Sequence, residues 1–475
     1  MNTRQDLPHI VLVVARGEAV RNFLYSDTLP FLSRQARVTL LSLVNHGEVV
    51  EQVRPYVDQI LSLREHPEHP LVTRFRLLVH NAHFRWIWSD AVKYYWGLHD
   101  ARAKTLRQKI RRLFTKAFAR IFAFRPLLEI LTEVDETLSW WLRPTREFET
   151  LFDELKPDLV FNCSHIHGPQ ADLPMRIACR MGIPTAVFVF SWDNLTSRSR
   201  IFVPYDYYLM WNEQMRAQLL GQYRNIKPEQ VFATGTPQFD FHFKSEYCMS
   251  REELCAIMGL DPLRPFVLYT TGLDTDFLDE HKFIEAVIQY LKEPGLKSRP
   301  QLVVRTYIKG TSPEIQAMAG RNIPDVVFPP ILWDKQWTMP LHEDLSIYSS
   351  LLHHCALGIN AASTVTLELM ALDKPVINIG MEPPGSILPQ HALFSRHVAY
   401  EHFRPVARSG GVMVARSLED LQAMIRLGLS MPEAQREERT KFIRTMMDDS
   451  LDGFAGRRVA ERLVELAGRE RTIHA

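Results

Sequence analysis

Residues 344–380 read DLSIYSSLLHHCALGINAASTVTLELMALDKPVINIG, and this stretch decides the fold. The apolar run at 356–359 predicts a buried strand, which delivers the chain into Asn360-Ala361-Ala362-Ser363-Thr364, where a helix starts. The next strand opens at Lys374-Pro375-Val376-Ile377, too far along for a hairpin and the right distance for a βαβ unit of a parallel sheet.

Working outward, the same grammar recurs on both sides. Upstream, RPFVLYTTG (264–272), QLVVRTY (301–307) and DVVFPP (325–330) predict three more strands, with a helix ending near 291. Further upstream, strands are expected at 10–14, 38–44, 158–161, 185–190, 207–211 and 230–233, and a helix over 171–181 closes on Gly182. Two βα series in one chain predict an α/β protein of two Rossmann-like domains facing a central cleft. The expected divisions are an N-terminal domain over 1–245 with a helical insertion at about 65–150, a C-terminal domain over 255–440, and helices over 441–475 that pack back on the first domain.

Composition narrows the class. The 475 residues carry a net charge of +1, 46% hydrophobic and 23% charged side chains, as expected of a soluble globular protein, neither disordered nor membrane-embedded. There is no global pull toward nucleic acid, and none is expected as a partner. Five scattered cysteines without Cys-x-x-Cys spacing argue for a reducing compartment and against a zinc site. The apolar run at 10–14 is too short for a signal segment, so a cytoplasmic protein is expected. The insertion is unusual: it holds Trp86, Trp88, Trp96, Trp140 and Trp141, five of the nine tryptophans. Between 101 and 126 there are nine basic residues and no acidic one. On a helix, Leu106, Ile110, Leu113, Phe114, Ala117 and Ile121 form one stripe, with Lys109, Arg112, Lys116 and Arg120 on the other side. Two expectations follow: an interfacial helix on the inner, anionic face of the plasma membrane, or a helix docked on its own domain with a solvated basic face.

Ligands of open α/β sheets gather outside the carboxyl ends of the strands. Ser363 and Thr364 sit at such an end and open a helix, where unpaired N–H groups and the dipole favour a phosphate; the plainer alternative is an N-cap. Thr271 and Gly272 follow the first strand of the second domain and are further phosphate or sugar contacts, or simply a tight connection. Arg305 ends its strand as a cation for a departing phosphate. Asp274 and Asp276 are a weak metal candidate, and no metal is expected. In the first domain, NCSHIHGPQAD (162–172) places His165 and His167 after a strand, and SWDNLTSR (191–198) places Asp193 after the next. A histidine suits the removal of a proton from an acceptor hydroxyl, with Asp193 a competing base or an orienting partner. Arg16-Gly17-Glu18 is a third candidate wall.

The order strand, Ser363-Thr364, a helix carrying Glu368, then Lys374-Pro375-Val376-Ile377 resembles the donor-binding segment of GT-B glycosyltransferases. TGTPQFD (234–240), SWDNLTSR and the segment 401–425 look like parts of bacterial surface-polysaccharide and teichoic-acid-type transferases. The resemblance implies that Ser363 and Thr364 hold phosphate, that Glu368 reaches ribose hydroxyls, and that a sugar passes from a nucleotide-activated donor to a glycan or lipid-linked acceptor. It implies a metal-independent reaction with no cofactor beyond the donor, and the expected mechanism is a direct, inverting displacement, the paired glutamates of many retaining relatives not being evident in the sequence. The chain departs from some relatives in having VVRTYIKG (303–310) without His-Pro after Arg305. Three other readings share the architecture: transfer of an alcohol phosphate from a CDP-alcohol, sugar-nucleotide 2-epimerisation, and a membrane-associated scaffold without chemistry.

Overall fold

The computed structural model describes residues 6–166, 169–198, 200–296, 298–389 and 392–469. By its packing the chain divides into two units, one of Met1–Val92, Leu98–Asp240 and Asp452–Ala475, the other of Lys93–Gly97 and Phe241–Leu451.

The first unit is built on seven strands: β1 (His9–Val14), β2 (Arg37–Ser42), β3 (Gln59–Ser62), β4 (Leu159–Asn162), β5 (Thr185–Phe188), β6 (Tyr207–Met210) and β7 (Val231–Ala233). Every pairing is parallel, in the order β3-β2-β1-β4-β5-β6-β7. The central strands β1, β4 and β5 are buried along their whole length, which is why they read as unbroken apolar runs rather than alternating ones. The helix Asp172–Met181 stops on Gly182 in the left-handed region, a conformation that favours glycine.

The second unit holds β8 (Phe266–Thr270), β9 (Gln301–Arg305), β10 (Val326–Val327), a short hairpin of β11 (Trp333–Asp334) and β12 (Met339–Pro340), then β13 (Leu357–Asn360), β14 (Val376–Ile379) and β15 (Met413–Ala415). Its main sheet is parallel in the order β10-β9-β8-β13-β14-β15. Each chain-order reversal, at β1/β4 and at β8/β13, is a topological switch point where flanking loops diverge and leave room for a ligand. The strands β3, β15 and the hairpin were not among the sequence expectations.

Four helices form the insertion: Pro70–Ile87, Asp90–Arg102, Leu106–Phe122 and Arg125–Trp141. Leu106–Phe122 starts on a capping box, the Gln108 N–H donating to Thr105 Oγ1 at 3.3 Å while the Thr105 N–H donates to Gln108 Oε1 at 3.0 Å. Its docking reverses the second of the two expectations, a helix docked by its apolar stripe with a solvated basic face. Arg112 Nε and Lys116 Nζ donate to the two oxygens of Asp100, at 2.8 and 2.7 Å, and Arg112 Nη1 donates to Asn81 Oδ1 at 3.1 Å. Phe118 and Phe122 pack with Val79, Ala82 and Leu128, so part of the basic side faces inward and the Leu106–Ile121 stripe faces out.

The fully buried Asp135 ties the insertion to the sheet layer. It accepts from Arg76 Nε at 3.1 Å on the helix Pro70–Ile87 and from Arg176 Nη2 at 2.9 Å on the helix Asp172–Met181. Burial pushes the nearby Asp172 carboxyl up to about 6, and the surrounding arginines pull against it.

The last helix, Ala455–Ala467, belongs to the first unit. Asp240 accepts from the Ala455 and Gly456 N–H groups at 3.0 and 2.7 Å, capping it from a distance. A Cβ at Gly456 would lie 3.0 Å from Thr28 Oγ1, so glycine permits the close approach to the helix Thr28–Leu32. Among the described residues no helix is long and apolar enough to cross a membrane.

Candidate functional site

At the carboxyl edge of the second sheet, β13 ends on Asn360, and Ser363 stands at the N-cap of the helix Thr364–Ala371 without capping it. Its hydroxyl instead donates to Asn360 Oδ1 at 3.2 Å, which also accepts from Thr366 Oγ1 at 2.9 Å and from Asn378 Nδ2 at 3.0 Å. Three donors on one oxygen fix the Asn360 amide, with its Nδ2 buried and without an acceptor among the described residues. Ser363 and Thr364 are half-buried at the tip of this helix.

Arg305 ends β9, the neighbour of β8. Nη2 donates to Asp344 Oδ2 at 2.6 Å, and the guanidinium carbon lies 4.8 Å from the centre of the Tyr348 ring. The remaining terminal nitrogen, Nη1, is buried with no acceptor among the described residues. Asp344 also accepts from Trp333 Nε1 at 2.9 Å and from the Leu332 N–H at 3.3 Å. Glu368 is buried; it accepts from Tyr348 Oη at 2.5 Å and faces His242 Nε2 at 3.6 Å. The expected donor-side residues Arg305, Ser363, Thr364 and Glu368 thus lie in one unit with three that sequence reasoning missed: Asp344, Tyr348 and His242. Asp344 and Tyr348 are one helical turn apart on His342–His354, a spacing that was the available signal.

On β8's side of the switch point, Thr271 Oγ1 accepts from the Tyr307 N–H at 2.9 Å, which leaves its own proton free to be donated. Gly272 has a different task. Its N–H donates to Glu280 Oε2 at 3.0 Å, and a Cβ there would fall 2.0 Å from the Phe277 ring. Tyr269 Oη also donates to Glu280, at 3.2 Å. Burial pushes the Glu280 carboxyl up to about 8, against the two hydrogen bonds. Its folded value exceeds its unfolded one, so the folded protein keeps a proton that the unfolded chain has lost, and stability falls as pH rises between 4.5 and about 8. Glu280→Gln is neutral at every pH and should gain on the order of a few kcal/mol at pH 8 and little at pH 5. Urea unfolding at the two pH values measures this; an equal effect at both would show that Glu280 is ionised in the fold.

At the carboxyl edge of the first sheet, His165 follows β4 beside that sheet's switch point. Burial lowers its imidazole to about 4, although the Phe188 carbonyl and the nearby Asp193 charge raise it. It is therefore unprotonated at neutral pH, and the same burial makes it a weaker base than a free imidazole. Asp193 stands at the N-cap of the short helix Asn194–Ser197 without capping its backbone: Oδ2 accepts from Ser197 Oγ at 2.7 Å and Oδ1 from Asn194 Nδ2 at 3.3 Å. Glu18, just after β1, is paired with Arg16 at 3.1 Å. His167 lies outside the described residues. Among those residues no cluster of three or more His, Cys, Asp or Glu side chains could hold a metal ion. Asp276 Oδ1 accepts from Tyr94 Oη at 2.6 Å.

No protein-family model and no curated protein matches the sequence. Solved structures do. The UDP-GlcNAc 2-epimerase from Neisseria meningitidis bound to UDP-GlcNAc is 12% identical over 97% of this chain and 100% of that one, with a TM-score of 0.53. The S. aureus MnaA–UDP structure is 12% identical over 99% and 100%, with a TM-score of 0.54. A glycosyltransferase from Rickettsia africae ESF-5 is 10% identical over 98% and 100%, with a TM-score of 0.51. These likenesses concern the whole two-unit architecture of parallel sheets, and in fold the chain is a GT-B-type protein.

Proposed function

We propose that the chain binds a nucleotide-activated sugar at the carboxyl edge of its second sheet and transfers the sugar to an acceptor hydroxyl. The observation that carries the reading is Arg305 Nη1, a buried guanidinium donor with no acceptor among the described residues, at a strand end beside the switch point. A buried charged donor left without an oxygen is costly, and a phosphate satisfies it. The helix tip at Ser363 and Thr364, which has no side-chain cap, adds donors of the same kind. As the glycosidic bond breaks, charge grows on the departing phosphate, and such donors act where it grows. Glu368 serves the ribose, with Tyr348 donating to one of its oxygens and His242 facing the other. On the acceptor side the neutral His165 takes the hydroxyl proton, and Asp193 stabilises the imidazolium. Direct attack of that hydroxyl on the anomeric carbon inverts the linkage. The acceptor is a glycan or a lipid-linked sugar of surface-polysaccharide synthesis.

A second reading, sugar-nucleotide 2-epimerisation, is favoured by the epimerases among the similar structures. It requires groups that remove and return a proton at a sugar carbon. At the first sheet's edge the carboxylates Glu18, 3.1 Å from Arg16, and Asp193, which accepts from Ser197, are the candidates for that task, beside the His165 imidazole.

A thermal-shift panel of UDP, GDP, CDP, CMP and TDP should show one clear stabiliser, and Ser363→Ala with Thr364→Ala should weaken its binding by roughly tenfold or more. Conversion of the matching nucleotide sugar without any acceptor would select the epimerase, and release of CMP from a CDP-alcohol would select alcohol-phosphate transfer. Silence toward every nucleotide would leave only the scaffold.

A further inference from the structure

The helix Leu106–Phe122 turns its apolar stripe toward solvent. Leu106, Ile110, Leu113, Phe114 and Ile121 are between 60% and 75% exposed, whereas Arg112 and Lys116 are drawn inward onto Asp100. Those two ion pairs, with Phe118 and Phe122 packed beneath, fix the rotation of the helix about its axis, so the stripe cannot roll in to be covered. A run of large apolar side chains held outward on one helix marks an interaction surface.

We propose that this face is an interfacial anchor that lies in the plane of an anionic lipid bilayer. Charge selects the occupant. Arg107, Lys109, Arg111 and Arg120 are exposed on the same helix, and no acidic residue occurs between 101 and 125. A second copy laid on this face would bring basic side chains against basic side chains, whereas an anionic headgroup layer accepts them while the acyl boundary takes the stripe. At 17 residues the helix is about 25 Å long, enough to lie along the interface. Phe124 and Trp141, 59% and 79% exposed, mark the two limits of the following helix with the aromatic residue types that settle at a headgroup boundary. The proposal rests on the insertion alone and is independent of the chemistry assigned above.

The test is flotation of the full chain with vesicles of phosphatidylcholine alone or with one third phosphatidylglycerol. Binding to the anionic vesicles only, weakened by salt, is expected. Leu113→Glu with Phe114→Glu should abolish it, and Arg107→Gln with Arg111→Gln should reduce it by at least tenfold at low salt. These positions are exposed, and an unchanged thermal midpoint shows that the loss lies at the surface; if the glutamate variant melts early, the glutamine variant carries the test. No flotation with anionic vesicles, equal flotation with neutral ones, or full binding by both variants would overturn the proposal. So would a soluble dimer that the glutamate variant splits while vesicles are ignored, since the face would then belong to a second copy.

Discussion

Arg305→Ala is expected to destabilise the second unit by about 3–5 kcal/mol and to remove the nucleotide response. The first effect comes from Asp344, which is buried and would keep only the hydrogen bonds from Trp333 Nε1 and the Leu332 N–H to balance its charge. Breaking a buried pair on one side leaves an uncompensated ion, and that ion, more than the lost attraction, sets the cost. Two origins of a lost response must be separated, because an unfolded site binds nothing. Arg305→Met with Asp344→Asn removes both charges while an amide oxygen remains for Trp333. Most of the stability should return, measured by urea unfolding, and the thermal shift with nucleotide should not. A double variant that regains both would reduce Arg305 to a structural partner of Asp344 and take away the main support for phosphate binding.

Asp135→Ala should cost the first unit as much or more. The carboxylate has no solvent exposure and is shared by Arg76 and Arg176; the latter is itself buried. Burial would weaken the Arg76 charge, but Asp135, Asp172 and Glu68 hold it firmly protonated. Removing the central carboxylate takes its partner from the buried Arg176, while Arg76 keeps Glu68, so a loss of about 3–5 kcal/mol is expected. The damage should concentrate in the insertion, because Asp135 joins the helices Pro70–Ile87 and Arg125–Trp141 to Asp172–Met181. Hydrogen exchange should rise in residues 70–141 and stay low in β1 and β4; a uniform rise would show that the insertion has no independent hinge at Asp135.

These two clusters mark where the sequence stopped being informative. The buried parallel strands were legible because each is a short, largely apolar run between loop residues. The edge strand β3 was not, since Gln59 and Ser62 are exposed and only Ile60 and Leu61 turn partly inward. Nor was β15, a strand of three residues after a pair of glycines. Residues at strand ends could be named in advance, as Arg305, Ser363 and Thr364 were, because topology alone puts them at the carboxyl edge of the sheet. Their partners could not. Tyr348 reaches Glu368 across 20 residues, and His242 comes from the segment that precedes β8. Gly272 shows the reverse limit: a glycine in a plausible phosphate loop is used for its closeness to Phe277, and its N–H is given to Glu280. The amphipathic pattern of Leu106–Phe122 was readable, but which side docks depends on Asp100, which lies outside the helix and carries no periodic signal.

The discontinuous make-up of the first unit bears on how the chain is made. The helix Ala455–Ala467 supplies Val459 and Leu463 to that unit's interior and takes its cap from Asp240. A polypeptide leaving the ribosome in order therefore exposes all seven strands of the first sheet long before their last covering helix exists. The second unit, continuous apart from five residues, has all the rest of its chain available sooner. Vectorial synthesis thus runs against the usual order, and the amino-terminal half must wait, with an apolar groove beside Thr28–Leu32 uncovered, for the carboxyl-terminal helix to close it.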